Sequence, residues 1–161
     1  MVKLSYSAIY VINSVKLTRL IHGISARQLS LDITNNQDEY VISRHESTVY
    51  KTQYPHHTLI LIANALNCNV RDFYPPDEEL LESDGSRFVK EIISLSNIDD
   101  CTLVINEMIN ADCFVNGMSA DDTSKHLHEY GKPNSLIIEQ ALKVAEKANK
   151  LSLQNDKYFS K

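Results

Sequence analysis

Apolar side chains recur at three- and four-residue spacing through much of the chain, the pattern of helices that bury one face. Ile9, Ile12, Lys16 and Arg19 run down a first helix, with Val11, Val15 and Leu20 adding apolar contacts and Ser5 or Ser7 as its cap. Ser25-Ala26-Arg27-Gln28 reads as a capping box, a hydroxyl meeting a free backbone N–H while an amide reaches back. The helix it opens carries Leu29 and Ile33 on one face. It stops in Thr34-Asn35-Asn36-Gln37-Asp38, side chains that hydrogen-bond their own backbone and favour turns. A third helix is expected over about residues 37–47, with Tyr40, Val41 and Ile42 early and Ser43, Arg44 and Glu46 later. Tyr50, Tyr54 and Pro55 lead into a fourth, whose Leu59, Ile62, Ala63 and Leu66 have helical spacing. Val70–Phe73 makes a short fifth, closed by Pro75-Pro76.

Beyond the prolines the pattern changes. Asp77 to Ser86 is acidic and then Ser/Gly-rich, the composition of a linker. Phe88, Ile92, Leu95 and Ile98 suggest one helix; Leu103, Val104, Met108 and Ile109, with Phe114 and Val115 after them, suggest another. Ser119 to Asp122 is a second capping box, opening a short helix through Leu127. Pro133-Asn134-Ser135 starts a helix with Ile137, Ala141, Val144 and Ala148 as an apolar stripe and Lys143, Lys147 and Lys150 as a basic one. Leu151 to Phe159 alternates about Asn155-Asp156 and reads as a β-hairpin. The expected architecture is mostly α: a helical domain over 1–75, an acidic linker over 76–86, and a smaller helical domain over 87–161 ending in a hairpin.

Helix, tight turn and helix, with polar side chains opening the second member, is the layout of a DNA-reading unit. The phrases Arg-Leu-Ile-His-Gly-Ile-Ser from Arg19, Gln-Leu-Ser from Gln28, Tyr-Val-Ile-Ser-Arg-His-Glu from Tyr40, Leu-Ile-Leu-Ile-Ala-Asn-Ala-Leu-Asn from Leu59 and Asp-Phe-Tyr-Pro from Asp72 carry a family likeness. In order and spacing they resemble the five-helix Cro/lambda-repressor-type (XRE) helix-turn-helix domain, over roughly residues 8–75. Two features depart from that pattern. Ala26 stands where the family has a phosphate-gripping Gln, and the turn before the third helix is longer than usual. The resemblance implies a sequence-specific regulator, bacterial or phage, whose third helix enters the major groove of double-stranded DNA. It also implies a salt bridge between Arg19 and Glu46, tying the first helix to the third and leaving Arg19 donors for a phosphate. More loosely, the helix, short helix, helix and terminal hairpin of the second half resemble a winged helix, which implies DNA contacts at Asn134, Ser135, Lys143, Lys147 and Lys157.

Base-edge reading needs side chains that donate or accept at base edges, chiefly Arg, Lys, Asn, Gln and Ser. Asn36, Gln37, Ser43 and Arg44 are such groups, and Tyr40 can touch a thymine methyl or a phosphate. Arg27 and Gln28 at the start of the second helix, and Lys51 and Gln53 in the loop after the third, complete the candidate set. Asp38 and Glu39 favour a helix start but repel DNA.

Charge changes the picture. The 161 residues sum to −5, yet residues 1–76 hold seven Lys/Arg against five Asp/Glu, residues 77–131 three against thirteen, and 132–161 six against three. Phosphate binding needs a local basic surface, not a basic total, but +2 is weak, so binding as a homodimer on two half-sites is expected. The alternative is a protein-interaction module, an antitoxin or defence-system accessory factor, with the same fold and weak or no DNA binding. The second domain is the natural place for a protein partner.

Three cysteines without Cys-x-x-Cys spacing suit a reducing compartment. No apolar run approaches the ~20 residues that span a bilayer, and the first residues lack a signal-peptide pattern, so a cytoplasmic protein is expected. Neither His56-His57 nor His126 with His128 has metal-ligand geometry on a helix, so no metal or cofactor is expected. The acid pairs at 99–100 and 121–122 read as helix-start residues. No nucleophile–base pair or Gly-rich phosphate loop points to an enzyme.

Overall fold

A computed structural model describes residues 1–76, 86–127 and 135–161. Among the described residues the chain is mostly helical, with seven α-helices, one 3-10 turn and four short strands. It divides into two compact units, one formed by Met1–Arg19 and Ala26–Ile92, the other by Leu20–Ser25 and Ile93–Lys161. No helix among these residues is long and apolar enough to cross a membrane.

In the first unit, β1 (Lys3–Ser5) runs into α1 (Tyr6–Ile21), where Ser5 Oγ accepts from the Ala8 N–H. Ala8, Val11, Ile12 and Val15 are buried along α1, an i, i+3, i+4, i+7 stripe. The same stripe continues into Lys16 and Arg19, also buried, so a cationic side chain closes an apolar row. α2 (Ala26–Ile33) packs against α3 (Val41–Glu46) and α4 (His56–Ala65), and the 3-10 turn Val70–Phe73 packs against α4. Leu29, Ile42, Leu59, Ile62, Ala63, Leu66 and Phe73 are buried in this unit. Asn69 caps the 3-10 turn in a reciprocal capping box with Asp72.

Three expectations are corrected here. The helix anticipated over 37–47 is shorter, Val41–Glu46, because the Asp38 carboxylate takes the Tyr40 N–H in a turn that makes Tyr40 the N-cap, and Ser47 is already extended. Gln37 therefore lies in the turn and not on the helix. Residues 86–97 form no helix. Arg87–Val89 is strand β2, antiparallel to β1 with Leu4 opposite Phe88, and the Lys90 N–H donates to the Val2 carbonyl. The backbone groups a helix would use internally are thus spent on a strand from the other end of the chain. By the same pairing, residues 86–92 belong to the first unit, whereas the expected second domain began at 87. Most of the expected linker, 77–85, lies outside the described residues.

The second unit begins at α5 (Ile98–Asn110), where Asn97 Oδ1 accepts from the N–H groups of Asp99 and Asp100. α6 (Ala120–His126) starts in the expected capping box between Ser119 and Asp122. α7 (Ser135–Lys147) packs along α5 and also meets α6 and the first strand of the hairpin, β3 (Leu151–Gln154) and β4 (Lys157–Ser160). The anticipated opening of α7 at Pro133 and Asn134, and His128, lie outside the described residues.

The buried face of α7 is Ile138, Ala141, Leu142 and Ala145, while Val144 and Ala148 are exposed. The expected stripe through 137, 141, 144 and 148 was turned about the helix axis; Ala141 is common to both. Asn155 and Asp156 hold positive φ (48° and 62°), the two-residue turn whose twist matches antiparallel strands. The hairpin is tied down by paired hydrogen bonds between Met118 and Tyr158, and by Gly117. Gly117 has φ 73°, and a Cβ on it would lie 2.4 Å from the Phe159 ring. Cys101 is buried, Cys68 and Cys113 are half-buried, and no disulfide joins them.

Candidate nucleic-acid interface

Two hydroxyls hold α2, the turn and α3 together. Ser30, fully buried, donates to the Ala26 carbonyl (2.7 Å) and accepts from the Ile42 N–H (2.9 Å), so one residue of α2 satisfies an orphan donor in the first turn of α3. Thr34 Oγ1 donates to the Ser30 carbonyl (2.7 Å) and accepts from the Asp38 N–H (3.1 Å). Asp38 in turn accepts from the Tyr40 N–H through Oδ1 (2.9 Å). The angle between α2 and α3 is therefore set by hydrogen bonds at the start of α3.

The end of α3 is held by buried charge. Arg19 reaches from α1 to Glu46 in a bidentate pair, Nε to Oε1 at 2.6 Å and Nη2 to Oε2 at 2.5 Å, with the two side chains 1% and 8% exposed. Lys90, 2% exposed, donates through Nζ to the carbonyls of His45 (2.7 Å) and Tyr50 (3.0 Å). It supplies a donor at the helix end, where carbonyls lack intrahelical partners. Burial lowers the Lys90 ammonium below its ordinary range. The His45 ring stacks flat on Tyr54, with centroids 4.1 Å apart and planes 8° apart, and shares a hydrogen bond with the Val41 carbonyl. Burial also lowers His45, with the Lys90 and Arg44 charges acting in the same direction against its backbone hydrogen bonds. The Tyr54 hydroxyl is raised well above its usual range by burial and then by the Glu46 charge.

With both ends held, α3 presents Tyr40 (58% exposed) and Arg44 (49%) to solvent, with Gln37 and Asn36 exposed on the preceding turn. Arg44 is ion-paired with Asp38. Arg27, 70% exposed in the first turn of α2, pairs with Glu39 (Nε to Oε2, 2.6 Å). Both carboxylates are held below their ordinary range. For Asp38 the Tyr40 N–H is the larger cause and Arg44 the lesser; for Glu39 a Tyr40 side-chain hydrogen bond comes first and Arg27 second. Ser43 is half-buried and donates back to the Tyr40 carbonyl (3.1 Å), Gln28 donates to Asp32 (2.7 Å), and Lys51 is exposed.

Arg27, Asp38, Glu39, Tyr40 and Arg44 thus form one contiguous chain of contacts. Arg19 does not join it. At 1% exposure its guanidinium faces the Glu46 carboxylate inside the unit and is not offered to a phosphate. In the second unit, Lys143 pairs with Glu139 (2.6 Å), while Lys147 at the end of α7 and Lys157 at the hairpin turn are exposed. Sequence reasoning read Thr34 as a turn residue and missed Ser30 and Lys90. Ser30 stood inside the phrase Gln-Leu-Ser; Lys90 carried no signal, being 45 and 40 positions from the carbonyls it meets. A shallow cleft of about 450 Å³ opens on the first unit, lined by Asp32, Ile33, Asn35, Leu61, Asn64 and Ala65. Among the described residues no group of three or more His, Cys, Asp or Glu could hold a metal ion. No family model, curated protein or solved structure matches the chain.

Two outcomes follow from the buried charges. Glu46→Ala strands a buried guanidinium and is expected to cost about 3–5 kcal/mol in urea denaturation, whereas Arg19→Met with Glu46→Leu recovers most of that loss. Equal losses in the single and double variants would contradict it. Because the folded His45 titrates below the unfolded value of about 6.5, the unfolded chain binds the proton first on acidification. Stability should therefore fall as pH drops through about 6.5 towards the folded value, and His45→Gln should flatten that part of the curve. An NMR titration of the ring with a midpoint at or above the ordinary value would refute it.

Proposed function

We propose that this protein is a sequence-specific, double-stranded-DNA-binding transcriptional regulator that inserts α3 into the major groove. On this reading the first unit is a five-helix Cro/lambda-repressor-type domain and the second is winged-helix-like. The observation that carries the proposal is the fixed pair α2 and α3. Ser30 pins the start of α3 and Arg19–Glu46 its end, and the side chains facing solvent around its start include Gln37, Tyr40 and Arg44, each able to donate to a base edge or a phosphate. An N-terminal end of a helix aimed outward with Tyr40 and Arg44 beside a second helix start is suited to a groove flanked by phosphates. A unit with so small a basic excess gains affinity by occupying two half-sites, which favours a dimer in the cytoplasm.

A second reading has its own support. Both exposed arginines of the interface already hold carboxylates of the same chain, Arg44 with Asp38 and Arg27 with Glu39. That leaves the face close to neutral, as a protein-interaction module would have it. In that case the fold is kept and a protein partner replaces DNA.

The test is selection from a random duplex library at low salt, followed by fluorescence anisotropy with the selected and scrambled duplexes. Arg44→Ala is expected to weaken binding to the selected site by about 1–3 kcal/mol, as for loss of a bidentate base contact. A loss equal on both duplexes, with a salt slope lower by about one, would make Arg44 a phosphate contact instead. Lys147→Ala weakens binding if the second unit also meets DNA and is silent if that unit only holds partners. If the wild type enriches no sequence and binds neither duplex, the interaction-module reading replaces this one.

A further inference from the structure

Three partners hold Asp38. Its N–H donates to Thr34 Oγ1, Oδ1 accepts from the Tyr40 N–H, and Oδ2 accepts from Arg44 Nη2. Thr34 is itself bonded to Ser30, which holds Ile42. The carboxylate is tied to the start of α3 through the Tyr40 N–H and to Arg44. Arg44 lies six positions further on, yet its guanidinium is drawn back over the first turn of α3, the direction in which long helical side chains lean. It is half exposed there, and a guanidinium has five N–H donors, of which this pairing uses one, on Nη2.

We infer that Asp38 is a positioning residue that turns Arg44 from a phosphate binder into a reader of guanine, so that the preferred DNA carries a G·C pair opposite the start of α3. The inference rests on the DNA-binding reading above. A guanidinium bound to a carboxylate loses much of its net attraction for phosphate, which acts on charge. Its remaining planar edge still matches two acceptors side by side, O6 and N7 of guanine. Adenine sets an amine donor against that edge, and thymine offers one acceptor with a methyl group beside it. Holding the side chain in one rotamer before binding also removes entropy otherwise lost in the complex. Arg27 with Glu39 provides an internal contrast. Arg27 stands in the first turn of α2, a helix start suited to phosphate and not to base edges.

The experiment uses the full chain, the duplex selected from the random library, and every single base-pair variant of that duplex. For the wild type, replacing the G·C pair in one half-site should weaken binding about 5- to 150-fold, the range of one bidentate contact. Asp38→Asn keeps an oxygen to accept from the Tyr40 N–H but removes the charge. It should shrink that preference to below about threefold, strengthen binding to scrambled duplex, and steepen the salt slope by about one. Arg44→Lys, with Asp38 intact, should lose the same preference, because an ammonium has no planar edge. Glu39→Gln should strengthen binding to all duplexes alike and leave the G·C preference in place. A wild type with no G·C preference, or an Asp38→Asn variant folded by circular dichroism that keeps it unchanged, overturns the inference while DNA binding stands. A wild type that binds no duplex at low salt overturns both readings together.

Discussion

A guanidinium and a carboxylate removed from water lose hydration worth several kcal/mol each, and their attraction returns that only when the geometry is good and the remaining donors are met. Arg19 and Glu46 are nearly solvent-free and bonded through two nitrogen–oxygen contacts, so the pair contributes less to net stability than to register. Either charge alone would be intolerable in that position. Helix α1 and the end of α3 can therefore come together in only one way, and the exposed face of a helix six residues long depends on it. A helix this short has no stability of its own in water. It exists because Ile42 is buried, Ser30 takes up one of its free N–H groups, and Lys90 donates at its free end.

Lys90 extends the constraint along the chain. Strand β2 pairs with β1, the strand that runs directly into α1, and the residue after β2 carries its ammonium to the carbonyls of His45 and Tyr50. A segment more than eighty positions from β1 in sequence is thus part of the first unit, and its buried cation is worth its desolvation because two carbonyls with few alternatives accept from it. The face that α3 offers is preorganised before any ligand arrives, which lowers the entropy that binding must overcome.

Much of this was legible in the residues. Periodicity gave α1, α2, α4 and α5, capping chemistry gave the start of α6, and Asn155-Asp156 between alternating runs gave the hairpin turn. Each is local and rests on a few adjacent side chains. What failed was non-local or depended on phase. Phe88 and Ile92 look helical by spacing, but strand pairing of Phe88 with Leu4 decided otherwise. α7 contains enough apolar residues for two overlapping stripes, and only packing on α5 chose Ile138, Ala141, Leu142 and Ala145. In the candidate site the residue types were readable, including the acidic pair Asp38-Glu39. That each acid would take one arginine was not, because the contacts run between a turn and two helices.

The central claim is that the solvent face built around the start of α3 is where this protein meets DNA. Amide chemical-shift mapping of the full chain, titrated with a duplex at low salt, tests it without knowledge of the preferred sequence. The account predicts shifts concentrated at Arg27, Gln37, Tyr40, Ser43 and Arg44, fading as salt is raised. No shifts at these residues, or shifts confined to the cleft at Leu61, Asn64 and Ala65, would contradict it.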